Sequence, residues 1–134
     1  KLTLGSWKKQ KQPFYSWDVS YTKEYDVKDT SKSYTIQLNA WNGTVTEVYV
    51  NGEKAGIIGF DPYRLNIASY LKQGKNQVEV RVIGSHKNLL GPHYNTPNPG
   101  LASPWHWKNI RKQIPGSDYQ MLDYGLMEDF DLVY

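Results

Sequence analysis

The chain reads as an all-β protein, a sandwich or barrel of antiparallel strands formed as a single domain across all 134 residues. Three observations carry that reading. Short runs of alternating apolar and polar residues recur along the chain, each long enough for a strand and too short for a typical helix. Asn-Gly and Gly-x-Asn sequences separate several of them, and these residues supply the positive φ angles of tight reversals. No stretch holds a sustained helical period.

Residues 1–13 are polar and irregular and read as a terminal arm, with Pro13 marking where the first strand begins. From Phe14 to Tyr25 the pattern alternates, placing Tyr15, Trp17, Val19 and Tyr21 on one face. Asp26 to Ser33 is charged and turn-like. Tyr34, Ile36 and Leu38 then alternate as a second strand. Trp41-Asn42-Gly43 reads as a turn. Val45 to Val50 forms a third strand that Asn51-Gly52 reverses into a hairpin partner, Ala55 to Phe60. Asp61-Pro62-Tyr63 breaks the run, and Leu65, Ile67, Tyr70 and Leu71 fit either a short helical turn or a bent strand. Gly74-Lys75-Asn76 launches Gln77 to Ile83, where Val78, Val80 and Val82 alternate with charged residues. Residues 84–116 are rich in Gly and Pro and read as one long loop, a length that usually signals a functional segment. Gly125 to Tyr134 closes the fold as a last strand.

Composition narrows the function classes. Aromatic residues make up 14% of the chain, with eleven Tyr and five Trp, and such side chains suit half-wet surfaces as well as core edges. A net charge of +3 is compatible with an acidic ligand but does not require one. Basic residues are scattered, apart from Lys8, Lys9 and Lys11, so neither a basic helical face nor an RNA-type aromatic signature argues for nucleic acid. Cysteine is absent, which excludes disulfides and thiolate chemistry. His86, His93 and His106 lack metal-ligand spacing. No apolar run approaches the ~20 residues that cross a bilayer. A chain beginning at Lys1 with no signal peptide is expected to be a processed or excised piece.

Three segments carry a resemblance. Val48-Tyr49-Val50-Asn51-Gly52-Glu53-Lys54-Ala55-Gly56 resembles the V-x-V-N-G-x-x-x-G signature of galactose-binding-like jelly-roll domains in glycoside hydrolases. Pro62-Tyr63-Arg64-Leu65-Asn66-Ile67 is similar to their P-Y-x-L-D-I segment. Leu71-Lys72-Gln73-Gly74-Lys75-Asn76-Gln77-Val78-Glu79-Val80 matches their L-x-x-G-x-N-x-[IVL]-x-[VI] segment. Order and spacing agree with the sugar-binding domains of glycoside hydrolase family 2 and with accessory modules of bacterial polysaccharide-degrading enzymes. These residues build scaffold: Asn51-Gly52 turns the hairpin, Gly56 permits a close backbone approach, and Tyr63 plugs one end of the sandwich. Asn88-Leu89-Leu90-Gly91-Pro92-His93 resembles a block that follows the last central strand in such modules. The resemblance implies a secreted, periplasmic or cell-surface setting in a bacterium. By analogy it also admits a structural calcium, for which Asp18, Glu128 and Asp131 are weak candidates; no other cofactor is expected.

Catalysis is not expected. Glycoside hydrolysis needs two carboxylates facing each other across the scissile bond, and no spacing among Asp61, Asp118, Asp123 and Glu128 singles out a pair. Ser85, His86 and Asp61 lack a nucleophile-elbow pattern. Binding needs less. Sugar rings stack their CH faces on indole or phenol rings and pair their hydroxyls with Asn, Asp, His or Arg. The long loop holds His93, Tyr94, Asn95, Trp105, His106, Trp107 and Arg111. In an extended segment Trp105 and Trp107 point the same way and make a platform, unless one of them caps the core. Trp41 and Tyr124 are further candidates on other loops, and Trp17 is either core or a ligand-stacking residue.

The expectation is a non-catalytic carbohydrate-binding module, monomeric and not inserted in a membrane. It would hold a parent glycoside hydrolase on a polysaccharide, including acidic uronate or sulfated chains. The alternative is a structural accessory domain that packs against the catalytic domain of the same parent and has no ligand of its own.

Overall fold

A computed structural model of the chain describes residues 1–90 and 119–134. Nine strands occupy the described residues: β1 (Asp18–Val27), β2 (Thr35–Gln37), β3 (Trp41–Asn42), β4 (Val45–Val50), β5 (Glu53–Ile58), β6 (Arg64–Asn66), β7 (Gly74–Ile83), β8 (Gly125–Leu126) and β9 (Asp131–Val133). One short helix, α1 (Lys87–Leu90), follows β7, and a 3-10 turn spans Ala68–Tyr70. A four-stranded sheet runs β1-β7-β4-β5; the second layer consists of a three-stranded sheet, β6-β2-β9, and the pair β3-β8. Every pairing is antiparallel. The architecture is an antiparallel β-sandwich.

Alternation explains how the layers close. Val78, Val80 and Val82 of β7 and Val48 and Val50 of β4 point inward and are almost wholly buried. Against them lie Ile36, Leu38, Ile67, Leu126 and Phe130 from the second layer. β-branched side chains suit such a pleated, covered surface, because their restricted χ1 loses little on burial. The β4–β5 hairpin turns at Asn51 (φ 53°) and Gly52 (φ 86°), the two consecutive positive angles that Asn-Gly accommodates. Gly56 opposes Val48, and a Cβ there would stand 2.9 Å from the Leu65 side chain. Its missing side chain is what lets β6 lie against β5.

Several elements differ from the sequence reading. Trp41-Asn42 is a strand, since both residues pair with Gly125 and Leu126 across the chain. The ambiguous stretch around Leu65 is both things in turn, strand β6 and then the 3-10 turn. β1 begins at Asp18, so Trp17 sits just outside the ladder. It is 68% exposed and not core. The closing strand is two short ones, β8 and β9, and the start of the long loop is α1.

Residues 1–13 are irregular yet packed. Gly5 N–H donates to the Leu126 carbonyl at 2.7 Å, and Trp7 N–H donates to that of Tyr124 at 2.9 Å. The Trp7 indole is 1% exposed, and its Nε1–H donates to the Tyr21 hydroxyl at 2.9 Å. A tryptophan in a polar context carries no alternation to announce that it is a core residue.

Candidate functional site

The β3–β8 pair forms one end of the sandwich and opens a cleft of about 440 Å³ there, lined by Trp41, Asn42, Thr44, Tyr63, Asp123 and Tyr124 among others. Gly43 makes the tight passage from β3 towards β4: a Cβ at this position would stand 2.7 Å from the Ile83 carbonyl and 2.8 Å from the Val82 side chain. Thr44 is fixed by its N–H to the Ile83 carbonyl at 2.8 Å and its hydroxyl to the Gly84 carbonyl at 2.9 Å.

Two aromatic side chains present surface to the cleft. Trp41, half-buried, meets Tyr63 edge to face at 5.6 Å and 89°, an arrangement that orients both rings. The Trp41 Nε1–H is buried and has no hydrogen-bond partner among the described residues. Tyr124 is 6% exposed and serves as a wall rather than a stacking platform. Its hydroxyl shares a hydrogen bond with the Ser85 hydroxyl, and its ring tilts against Trp7 at 6.1 Å. Ser85 is thereby occupied as a structural hydroxyl.

The cleft also holds one carboxylate. Asp123 accepts a hydrogen bond from the Ser6 hydroxyl, and the Lys8 ammonium lies 3.2 Å from its other oxygen while donating to the Met121 carbonyl at 3.0 Å. The Ser6 hydroxyl, with Lys8 behind it, holds the Asp123 carboxyl below its ordinary value. A depressed native pKa contributes stability that is present above the unfolded value, about 3.9, and is lost as pH falls through the native value. Thermal unfolding from pH 7 down to pH 2.5 is therefore expected to find Asp123→Asn less stable than wild type at neutral pH. The gap should close below about pH 4; a gap that stays constant with pH would remove the charge from the account.

Two sequence candidates thus come together, Trp41 and Tyr124, although they are far apart in the chain. Tyr63, read from sequence as scaffold, joins them, as do Asn42 and Thr44. Only the cross-chain β3–β8 pairing signals this, and strands of two residues have no periodicity to read. His93, Tyr94, Asn95, Trp105, His106, Trp107 and Arg111 lie outside the described residues. The calcium candidates do not converge. Asp18 lies 3.4 Å from the Arg81 guanidinium, Asp131 accepts from the Asn39 amide at 2.8 Å, and Glu128 is exposed. Among the described residues no group of three or more His, Asp or Glu could hold a metal ion. No described helix is long and apolar enough to cross a membrane.

The described residues thus form a β-sandwich whose end cleft has aromatic walls and a polar rim. Comparison with known proteins gives its context. No protein-family model matches the chain. Two proteins of Formosa agariphila, each named "Putative beta-glucuronidase", are similar to it: one is 36% identical over 75 residues, 53% of this chain, and the other 30% over 80 residues, 58% of it. The chain spans 9% and 7% of their lengths. Among solved structures, a rhamnosidase from Novosphingobium sp. PP1Y superposes with a TM-score of 0.62 at 23% identity, over 89% of this chain and 11% of that one. That likeness is one of fold. The chain is thus related to a small part of much larger glycoside-hydrolase-like proteins.

Proposed function

We propose that this chain is a non-catalytic glycan-binding module of a larger glycan-degrading enzyme, exported to the periplasm, the cell surface or the medium of a bacterium. The observation that carries the reading is the cleft itself, where the Trp41 and Tyr63 rings stand beside the polar groups of Asn42, Thr44 and Asp123. A pyranose ring has the same two-sided chemistry, with apolar CH faces and equatorial hydroxyls. Trp41 and Asn42 are pre-positioned by strand pairing, so a ligand would meet little ordering cost there. The glucuronidase names of the F. agariphila relatives and the net charge of +3 favour a chain containing uronate or sulfated units. In this reading Trp105 and Trp107, with His93, Tyr94, Asn95, His106 and Arg111, remain ligand-binding candidates by their chemistry.

Calorimetry against pectic, sulfated and neutral oligosaccharides tests the proposal. Trp41→Ala is expected to weaken binding about tenfold or more, in line with loss of an aromatic hot spot. The Trp105→Ala/Trp107→Ala double variant is expected to do at least as much. Silence across the whole panel would overturn the binding role.

One observation favours a second reading, the packing role. Asn88 is buried; its amide donates to the Pro13 and Leu122 carbonyls at 3.1 and 2.8 Å, and its side-chain oxygen accepts from Leu122 N–H at 2.8 Å. That clasp ties together the segments that carry the exposed side chains of Phe14, Leu89, Leu90 and Leu122, and exposed apolar side chains of this kind suit an interdomain contact. Protection of these residues from solvent in the full-length parent, and not in this chain, is the result that would establish it.

A further inference from the structure

The outer face of the four-stranded sheet carries a second constellation, separate from the cleft. Strand register sets its rungs: Ser20, Arg81, Glu47 and Ile57 lie in one row across β1, β7, β4 and β5, and Thr22, Glu79, Tyr49 and Lys54 in the next. Where β1 and β7 leave the sheet, Trp17 N-terminal to Asp18 and His86 C-terminal to Gly84 flank a depression of about 390 Å³ whose floor includes Asp18, Glu47 and Arg81. The backbone is fixed at this point, because Gly84 N–H donates to the Trp17 carbonyl at 3.0 Å. Gly84 is required there, since a Cβ would sit 3.1 Å from that carbonyl and 3.0 Å from the Trp7 ring.

We infer that this depression is a second sugar-binding subsite, with Trp17 as its stacking surface and Arg81, Asp18 and Glu47 as its hydroxyl partners, and that it takes a neutral pyranose unit. The inference rests on the glycan-binding reading of the module. The indole is free to stack, being 68% exposed beside a floor that is only partly so. An exposed tryptophan next to immobilised charged groups differs from a lone surface aromatic, which has nothing to orient a ligand.

The polar partners are pre-oriented. The Arg81 guanidinium is gripped by Glu79 at 2.8 Å and Asp18 at 3.4 Å, and it lies 4.6 Å over the Tyr49 ring. Glu47 is held by Lys54 and by the Tyr49 hydroxyl at 2.9 Å. These contacts leave carboxylate lone pairs and guanidinium N–H groups to exchange with sugar hydroxyls without rearrangement. Charge then selects the class of sugar. Three carboxylates (Asp18, Glu47 and Glu79) face two cations (Arg81 and Lys54), and Arg81 is already spoken for twice. An added uronate or sulfate would find no free cation among these groups and would meet surplus negative charge. Hydroxyls meet no such repulsion.

Indole N–H resonances of the whole chain, followed by proton–nitrogen NMR, read each tryptophan separately. The probes are cellohexaose, mannohexaose, xylohexaose and galactohexaose as neutral chains, and hexagalacturonate as the acidic one. At least one neutral chain should shift the Trp17 indole signal saturably, in wild type and in Trp41→Ala alike. Trp17→Ala, at an exposed position that leaves the core intact, should weaken that chain's binding about tenfold or more. Arg81→Ala should weaken it as well, while hexagalacturonate should leave the Trp17 signal in place. The inference is overturned if no neutral chain moves the Trp17 signal at millimolar concentration, or if hexagalacturonate moves it equally. Failure of the cleft reading looks different: the Trp41 signal stays still for every probe while that of Trp17 responds.

Discussion

Trp7→Ala is expected to destabilise the chain by about 3–5 kcal/mol, the usual cost of emptying a large buried aromatic site. The indole is 1% exposed, packs edge-on against Tyr15 at 5.6 Å and against Tyr124 at 6.1 Å, and donates to the Tyr21 hydroxyl. Gly84 and Gly125 both lie against it: a Cβ on either would come within about 3 Å of its ring, so the indole sits in a closely packed site whose emptying leaves a cavity. Domains of this size hold only about 5–15 kcal/mol in total, so the variant should melt roughly 10–15 °C lower. Trp7→Phe keeps most of the packing and loses the hydrogen bond to Tyr21, and a smaller loss of about 1–2 kcal/mol is expected for it. Scanning calorimetry of the three proteins gives the comparison. An alanine variant within about 1 kcal/mol of wild type would mean that residues 1–13 are an appendage after all.

Asn76→Ala should cost about 2–4 kcal/mol, through unmade hydrogen bonds rather than a cavity. Asn76 is 1% exposed, and its side chain ties two turns together. Its oxygen accepts from Lys72 N–H and from the Asn51 amide, both at 2.9 Å, and its amide donates to the carbonyls of Lys72 at 2.6 Å and Gly74 at 2.9 Å. Asn51 in turn accepts from Gln77 N–H at 3.0 Å. The two asparagines therefore lock the β4–β5 hairpin to the turn that starts β7. Alanine strands buried donors and acceptors in both turns. Asn76→Asp keeps the shape but sets a carboxylate against two carbonyls, so it should not rescue. Urea denaturation midpoints measure both variants. A loss below about 0.5 kcal/mol for alanine would show that water replaces the amide without penalty.

The residues behind this second case were legible in the sequence. Asn51-Gly52 and Gly74-x-Asn76 are local turn chemistry: the first needs two positive φ angles, and Gly74 adopts φ 91°. Val78, Val80 and Val82 declared their face by alternation, because one side of β7 is sealed and the other wet. Trp7 and Trp17 show where such reading stops. Alternation put Trp17 on one face with Val19 and Tyr21 and left it as core or ligand-stacking; the ladder starts one residue later, at Asp18, and nothing enforces the pleat before it. Trp7 has no strand at all, and its burial depends on Tyr124 and Gly125, which lie over a hundred residues away.

The candidate site divides in the same way. Trp41 and Tyr124 were chosen for their chemistry and proved to share one cleft, while Tyr63, Asn42 and Thr44 gave no local sign of belonging there. Pairings of two residues such as β3–β8 are decided by the packing of the whole molecule, and propensity cannot locate them. The outer-face row of Arg81, Glu47 and Tyr49 is likewise a product of register across β7 and β4.

The backbone clasp of Gly5 and Trp7 onto Tyr124 and Leu126 has a kinetic meaning. The hairpin of β4 and β5 can zip as soon as it is made, but the indole at position 7 finds its seat only after Tyr124 and Gly125 have been synthesised. Until then it is a greasy side chain without a partner. Closing so wide a loop comes late and slowly, and a ribosome-bound intermediate would carry a finished central sheet with its lid still unlatched.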